Sequence, residues 1–402
     1  VLEMRNHFVL GIAVDASWVD FRNRSEVGAL TPNRTVMGSG FFVAGDQFNT
    51  DVDVQNFFFG VYFSNTLSIT DDLAVTLAGR FNHANIEIDD NLGTELTGDH
   101  TFNRFNPAVG VAYQLGQNTT AYANYSESNR APSAAELGCS DPAEPCRFPT
   151  AFLADPPLKD VVTRSVEAGL RGRFTPEGDD LQINWSVAGF ASRNFDDIIF
   201  VGTGTPIGAG FFQNVGRTQR VGMEAGLNGR YRPLTWYANY SFVDSTFQSS
   251  FPVFSPGHPL ADPDGLIQVR KGNRIPGIPQ HSAKIGVGIN ITDAWFLGVE
   301  ALINSDQFLR GDESNQLSTV DGYAIVNLHT SYRVVQFGNP GKKLEAFLRV
   351  NNLFNADYET FGIVGGSPEE VLEVSGLTGL TNPIFLSPGA PIGVFGGLQL
   401  TF

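Results

Sequence analysis

GGLQLTF, residues 396–402, ends the chain. Leu398, Leu400 and Phe402 are apolar, and Gly397, Gln399 and Thr401 are small or polar. A period of two belongs to a strand with unlike faces, whereas an amphipathic helix repeats every 3.6 residues. Soluble domains usually finish in a loose polar tail; this chain finishes in alternation, on a bare aromatic.

The rhythm recurs upstream. LAVTLAGRFN (73–82) sets Leu73, Val75, Leu77 and Phe81 against Thr76, Arg80 and Asn82. VGMEAGLNGR (221–230) sets Val221, Met223, Ala225 and Leu227 against Glu224, Asn228 and Arg230. AKIGVGINI (283–291) and LEAFLRVN (344–351) do the same, with Lys284, Glu345 and Arg349 on the polar side. Strict alternation predicts half-buried strands. Fourteen are expected, near 7–22, 54–70, 73–88, 102–116, 119–128, 161–175, 181–201, 210–231, 233–247, 278–292, 294–309, 321–336, 343–353 and 393–402. Several exceed the usual strand length of a soluble sandwich.

The connections alternate as well. One set is short: 70–72, 116–118, 175–180, 232–234, 292–294 and 339–342. The other is mostly long: 23–53, 89–101, 129–160, 248–277, 310–320 and 354–392, with 202–209 its one short member. Tight turns at one end and long loops at the other describe an outer-membrane barrel, with short periplasmic turns and long extracellular loops. The fold class expected is therefore all-β, an antiparallel transmembrane β-barrel. Lipid cannot satisfy an open sheet edge, so such a sheet must close. The polar faces then point into a lumen, and Arg80, Glu224, Arg230, Lys284, Glu345 and Arg349 are the expected lumen-facing residues.

Composition fits. The 402 residues hold no apolar run of the length a transmembrane helix needs. The mean hydropathy of −0.07 does not count against a barrel, in which only alternate residues meet lipid. A net charge of −16 excludes nucleic acid as a partner. Cys139 and Cys146 bracket the turn-rich CSDPAEPC and are expected to form a disulfide in an oxidising compartment.

Four stretches, in order, resemble motifs of the TonB-dependent outer-membrane receptors: AYANYSESNRAPSAAEL (121–137), NVGRTQRVGMEAGL (214–227), GNRIPGIPQHSAKIGV (272–287) and RVNNLFNADYETFG (349–362). The terminal Phe402 is similar to the assembly signal of such barrels, read by the outer-membrane assembly machinery. The resemblance implies a barrel of about 22 strands filled by an N-terminal plug, of which about fourteen strands and no plug are legible. Residues 1–402 are thus expected to be the C-terminal portion of the barrel domain, with the partner of the closing strand upstream of Val1. The implied function is energy-coupled uptake of a scarce nutrient, such as a ferric siderophore, across the outer membrane. The partners are outer-membrane lipid, a small-molecule nutrient, and an inner-membrane energy-coupling protein reached through the missing N-terminal part; the receptor is expected to be a monomer. A passive porin is the alternative, and a soluble secreted β-protein the third reading.

Ligand contact is expected in the long loops and lumen, at Arg130, Phe148, Phe152, Phe254, Arg274 and Phe361. No enzyme, cofactor or metal site is expected. GTGTPIG (202–208) opens no helix, Asp262 and Asp264 lack calcium-loop spacing, and no Gly-x-Ser-x-Gly elbow occurs.

Overall fold

The computed structural model describes residues 5–33, 35–42, 49–94, 96–138, 146–147, 158–178, 180–202, 209–336, 342–365 and 382–401. Fourteen strands form one antiparallel sheet in which each strand pairs with the next along the chain. They are β1 Arg5–Arg24, β2 Asn49–Ser68, β3 Leu73–Asp90, β4 Gly98–Gln114, β5 Thr119–Arg130, β6 Val161–Phe174 and β7 Gln182–Phe195. The rest are β8 Arg217–Tyr231, β9 Leu234–Phe247, β10 His281–Asn290, β11 Trp295–Asn304, β12 Tyr323–Gln336, β13 Lys343–Asn351 and β14 Gly393–Thr401. This is the all-β, antiparallel arrangement of fourteen strands that the alternation predicts.

The registers carry one face across the whole sheet, with a single irregularity in the β12–β13 ladder between Arg333 and Val335. Arg80 lies opposite Tyr62, Glu167 opposite Asn124, Glu224 opposite Ala188, Lys284 opposite Asn239, and Arg349 opposite His329. We call this the inner face, because the loops fold over it. Leu398 and Leu400 lie on the opposite, outer face, level with Ala346 and Leu344.

The strands reverse polarity part-way up. On the outer face of β3, Leu73, Val75, Leu77 and Phe81 give way to His83, Asn85, Glu87 and Asp89; on its inner face Arg80 and Asn82 give way to buried Ala84, Ile86 and Ile88. β1 does the same outward, with Phe8, Leu10, Ile12, Val14 and Trp18 followed by Asp20, Arg22 and Arg24. A lipid-facing band at one end thus becomes a water-facing wall at the other. The ten residue steps from Phe8 to Trp18 cover about 33 Å along the strand, or about 25 Å of membrane depth at the usual barrel tilt.

Two neighbouring expected strands are cut short at the ends that face one another. The segment expected at 181–201 breaks after Phe195, and that at 210–231 begins only at Arg217. Between them Asp196 adopts φ 51° and Gly216 φ 78°, and Ile198–Gly202 pairs with Ala209–Asn214 as a separate hairpin. Asp197 holds the break, accepting from Thr218 Oγ1 and from Asn194 Nδ2 at 3.1 Å. A left-handed residue turns the chain away from the ladder, which alternation alone does not reveal.

Apolar packing is concentrated above the band. Val52, Val54, Ile86, Ile88, Leu96, Leu137 and Leu158 form one buried cluster, joined by Phe21 and Phe102. Phe211, Val215, Phe247, Val253, Ile267 and Val269 form a second. Among the described residues β1 and β14 each pair with one neighbour and not with one another.

Candidate functional site: the inner face beneath its loops

The loop after β5 returns over the inner face through one helical turn, α1 Ala134–Leu137. Ser133 caps that turn. Its hydroxyl accepts from the Glu136 N–H at 3.2 Å, and the Glu136 carboxylate accepts from the Ser133 N–H at 2.7 Å. This reciprocal pair is a capping box. Arg130 Nη1 donates to the same carboxylate at 2.6 Å, and Nη2 to its other oxygen at 3.0 Å. The fork is bidentate, which fixes direction as well as distance. It ties the end of β5 to the turn and drives Leu137, fully buried, into the cluster of Ile86 and Ile88.

Beneath this turn lies a recess of about 950 Å³. Phe58, Ala84, Ile86 and Phe102 give its apolar wall; Asp15, Arg80, Asn82 and Asn129 give its polar one. Asn129 is the organiser: Oδ1 accepts from Asn82 at 3.0 Å and from Asn106 at 2.8 Å, and Nδ2 donates to Asp160 at 3.3 Å. Arg80 Nε donates to Asn82 at 2.6 Å, with its guanidinium carbon 5.7 Å from the Tyr62 ring centroid. A mostly apolar recess with a few convergent polar groups is the usual form of a small-molecule site.

A second inner-face group sits on β9–β13. Lys284 Nζ is 2.9 Å from Glu300 Oε2, and the Tyr237 hydroxyl donates to the same oxygen. His329 lies opposite Gly298 and Arg349, next to a cavity of about 770 Å³ that Tyr237, Glu300, Asn327 and Arg349 also line. A Cβ at Gly298 would lie 2.3 Å from the His329 ring, so glycine there makes room for the imidazole.

Two extracellular loops are bound to one another. His258 Nε2 donates to Asp312 Oδ1 at 3.1 Å, and both side chains are fully buried. The Leu260 N–H donates to His258 Nδ1 at 3.1 Å. That places the ring proton on Nε2. Asp312 also accepts from the Ser314 hydroxyl at 2.8 Å and from the Gln316 and Leu317 N–H groups at 3.0 and 2.8 Å. Glu313 is buried beside it. Its Oε1 accepts from the Gly311 N–H at 3.1 Å, and its Oε2 has no partner. Burial, assisted by the neighbouring Asp312 charge, pushes its carboxyl above the ordinary range.

Comparison with known proteins fits this architecture. The TonB dependent receptor-like β-barrel model matches residues 2–353. The chain belongs to the TonB-dependent receptor family. Among solved structures it is similar to the siderophore receptor PiuA from Acinetobacter baumannii, with a TM-score of 0.68 and 15% identity, over 99% of this chain and 53% of that one. It is also similar to the ferric-catecholate import receptor Fiu from E. coli K12, with TM-score 0.67 and 16% identity, over 99% of this chain and 52% of the other. The copper transporter OprC gives TM-score 0.63 and 18% identity, over 98% and 54%. The chain therefore spans about half the length of these structures. The family is one of outer-membrane transport receptors rather than enzymes.

On this TonB-dependent receptor barrel, the six charged residues expected in the lumen share the inner face by register. They do not form one site: Arg80 belongs to the recess and Lys284 to the Tyr237–Glu300 group, while Glu345 is engaged by Lys343 at 2.7 Å. Of the expected ligand-contact residues, Arg130 borders the recess but is occupied by Glu136. Phe254 packs against the second apolar cluster. Arg274 lies 5.8 Å over the Phe308 ring and 3.9 Å from Asp244. Phe361 borders Gly277. Phe148, Phe152, Cys139 and Phe402 lie outside the described residues, and Cys146 is described only as strand backbone. Sequence reading placed Asn82 on a polar strand face without marking it for the site, and missed Asn129, Glu300, His258 and Asp312. Asn129 adjoins the Arg-Ala-Pro-Ser stretch, a local signal; the others are linked only through space.

Proposed function

We propose that this chain is the wall and loop canopy of a receptor that takes up a ferric siderophore by energy-coupled transport across the outer membrane. The observation that carries the reading is the recess beneath α1, with aromatic Phe58 and Phe102 on one side and Arg80 and Asn82 on the other. An aromatic, anionic chelate suits that lining: its rings stack on phenylalanine and its charge meets guanidinium. Similarity to siderophore receptors of known structure supports the class. The energy-coupling partner and the plug, in this reading, belong to the remainder of the receptor.

The test uses the full-length receptor. Binding of ferric catecholate and ferric citrate is followed by intrinsic fluorescence, and growth under iron limitation reports uptake. Arg80→Ala is expected to weaken binding about tenfold, the loss of one charge-assisted hydrogen bond. Unchanged binding of every ferric chelate by this variant would remove the recess from the reading. Growth that persists without the energy-coupling protein would favour a passive channel.

A further inference from the structure

Outside the recess and loop clamp, the outer face above the apolar band carries an uneven distribution of charge. On β1–β4 that level is acidic on balance: Asp20, Asp51, Asp53, Glu87, Asp89 and Asp99 face outward with Arg22 and Arg24, and Arg22 is taken up by Asp51 at 2.6 Å. On β6–β8 it is basic. Arg164 lies directly opposite Arg193 across the β6–β7 ladder, and Arg217 lies opposite Phe195 on the next strand. All share the outer face with Val166, Leu170, Val187, Val221 and Met223, which form the lipid-facing band just below. Like charges directly opposite one another destabilise a strand pair. Acids outnumber bases by 42 to 26 in this chain, yet little neutralises this patch. Glu127 is shared between Arg104 at 2.7 Å and Arg164 at 3.1 Å. Among the described residues, the side-chain partner of Arg193 is the neutral Gln219 amide, at 2.9 Å. Among the described residues no carboxylate ion-pairs with Arg193 or Arg217, and both are exposed. The Arg164 guanidinium lies 4.9 Å from the Phe195 ring centroid.

We infer that Arg164, Arg193 and Arg217 form a seat for the phosphate headgroup of a lipid in the surrounding outer leaflet. Position commits the ligand to a lipid: a headgroup stands at this height whenever its acyl chains lie along Val166, Leu170 and Val221, whereas free phosphate has no such tether. Guanidinium donors suit phosphate oxygens, and the acidic level of β1–β4 repels the same headgroup. The inference rests on the outer-membrane location of the barrel and not on the identity of the transported nutrient.

The test titrates full-length receptor, stripped of lipid in neutral detergent, with phosphatidylglycerol and counts bound lipid by native mass spectrometry. Each arginine removed is expected to weaken binding about fivefold, and two about thirtyfold. Arg217→Gln, whose side chain has no hydrogen-bond or ion-pair partner among the described residues, is the single variant; Arg193→Gln with Arg217→Gln is the double. Arg24→Gln, outward on the acidic side, is expected to leave binding unchanged, as is inorganic phosphate added as competitor. Equal binding by wild type and double variant, an equal loss in Arg24→Gln, or displacement of lipid by inorganic phosphate would each overturn the inference.

Discussion

His258 and Asp312 meet at 3.1 Å with no solvent access to either side chain. They come from different extracellular loops, 54 residues apart in sequence, and join those loops into one body. Asp312→Ala removes the acceptor for four donors, each costing about 1–3 kcal/mol when left buried and unmet. The expected outcome is local: faster amide exchange across 255–277 and 310–320, with β9–β12 unchanged. Unaltered exchange in both loops would show that the pair holds nothing together.

Glu313 makes that clamp pH-sensitive. A carboxyl whose folded pKa is raised takes up a proton on folding, so its contribution is most favourable below the unfolded pKa, about 4.3, and fades as pH rises through the folded value. Burial is the main cause of the rise. Glu313→Gln, which stays neutral, is therefore expected to slow loop proteolysis at pH 7–8 and to match wild type near pH 4. A stabilisation of equal size at both pH values contradicts the assignment.

Lys284 and Glu300 are 2.9 Å apart on the inner face. Removing one leaves the other charge unmatched, so Lys284→Met is expected to destabilise more than Lys284→Met combined with Glu300→Leu. A double-mutant cycle on denaturant unfolding of the full-length receptor should give a coupling of about 1 kcal/mol, at the low end of the range because Lys284 is half exposed. Additive effects would indicate a pair screened into irrelevance.

The polarity reversal on β3 predicts a depth-dependent response. Leu77 and Asn85 both face outward, Leu77 within the apolar band and Asn85 above it. Leu77→Arg is expected to cost about 2–4 kcal/mol and Asn85→Arg about 0–1 kcal/mol. Assembly, read from heat-modifiable mobility in whole membranes, should fall for the first only. Equal responses would misplace the membrane boundary.

Much of the wall was legible from alternation. Asn352 and Asn355, of a residue type that suits a turn, both adopt φ 49°, and the Asn352 amide caps the corner by donating to Ala356 O at 2.9 Å and accepting from its N–H at 2.9 Å. Pairing resumes at His281 after the two prolines, as the missing donors of Pro276 and Pro279 require. The candidate site was less legible. Arg130 and Phe254 lie in loops expected to meet a ligand, and the partners they have within the chain, Glu136 for the first and the apolar cluster for the second, are not visible in any local pattern. A residue's type records what it is able to contact, not which neighbour reaches it first.

The sequence by itself determined the fourteen strands, their order, the short and long ends and the sidedness of the apolar band, because period two is a local property of a pleated chain. Tertiary structure decided the rest. Asn129 gathers Asn82, Asn106 and Asp160 across as many as 47 residues. Arg164 meets Arg193 only through register, and the loop clamp closes only when two distant loops fold onto one another. Such groupings depend on pairing and burial between segments remote in sequence, and no local pattern encodes which of the many polar residues will meet.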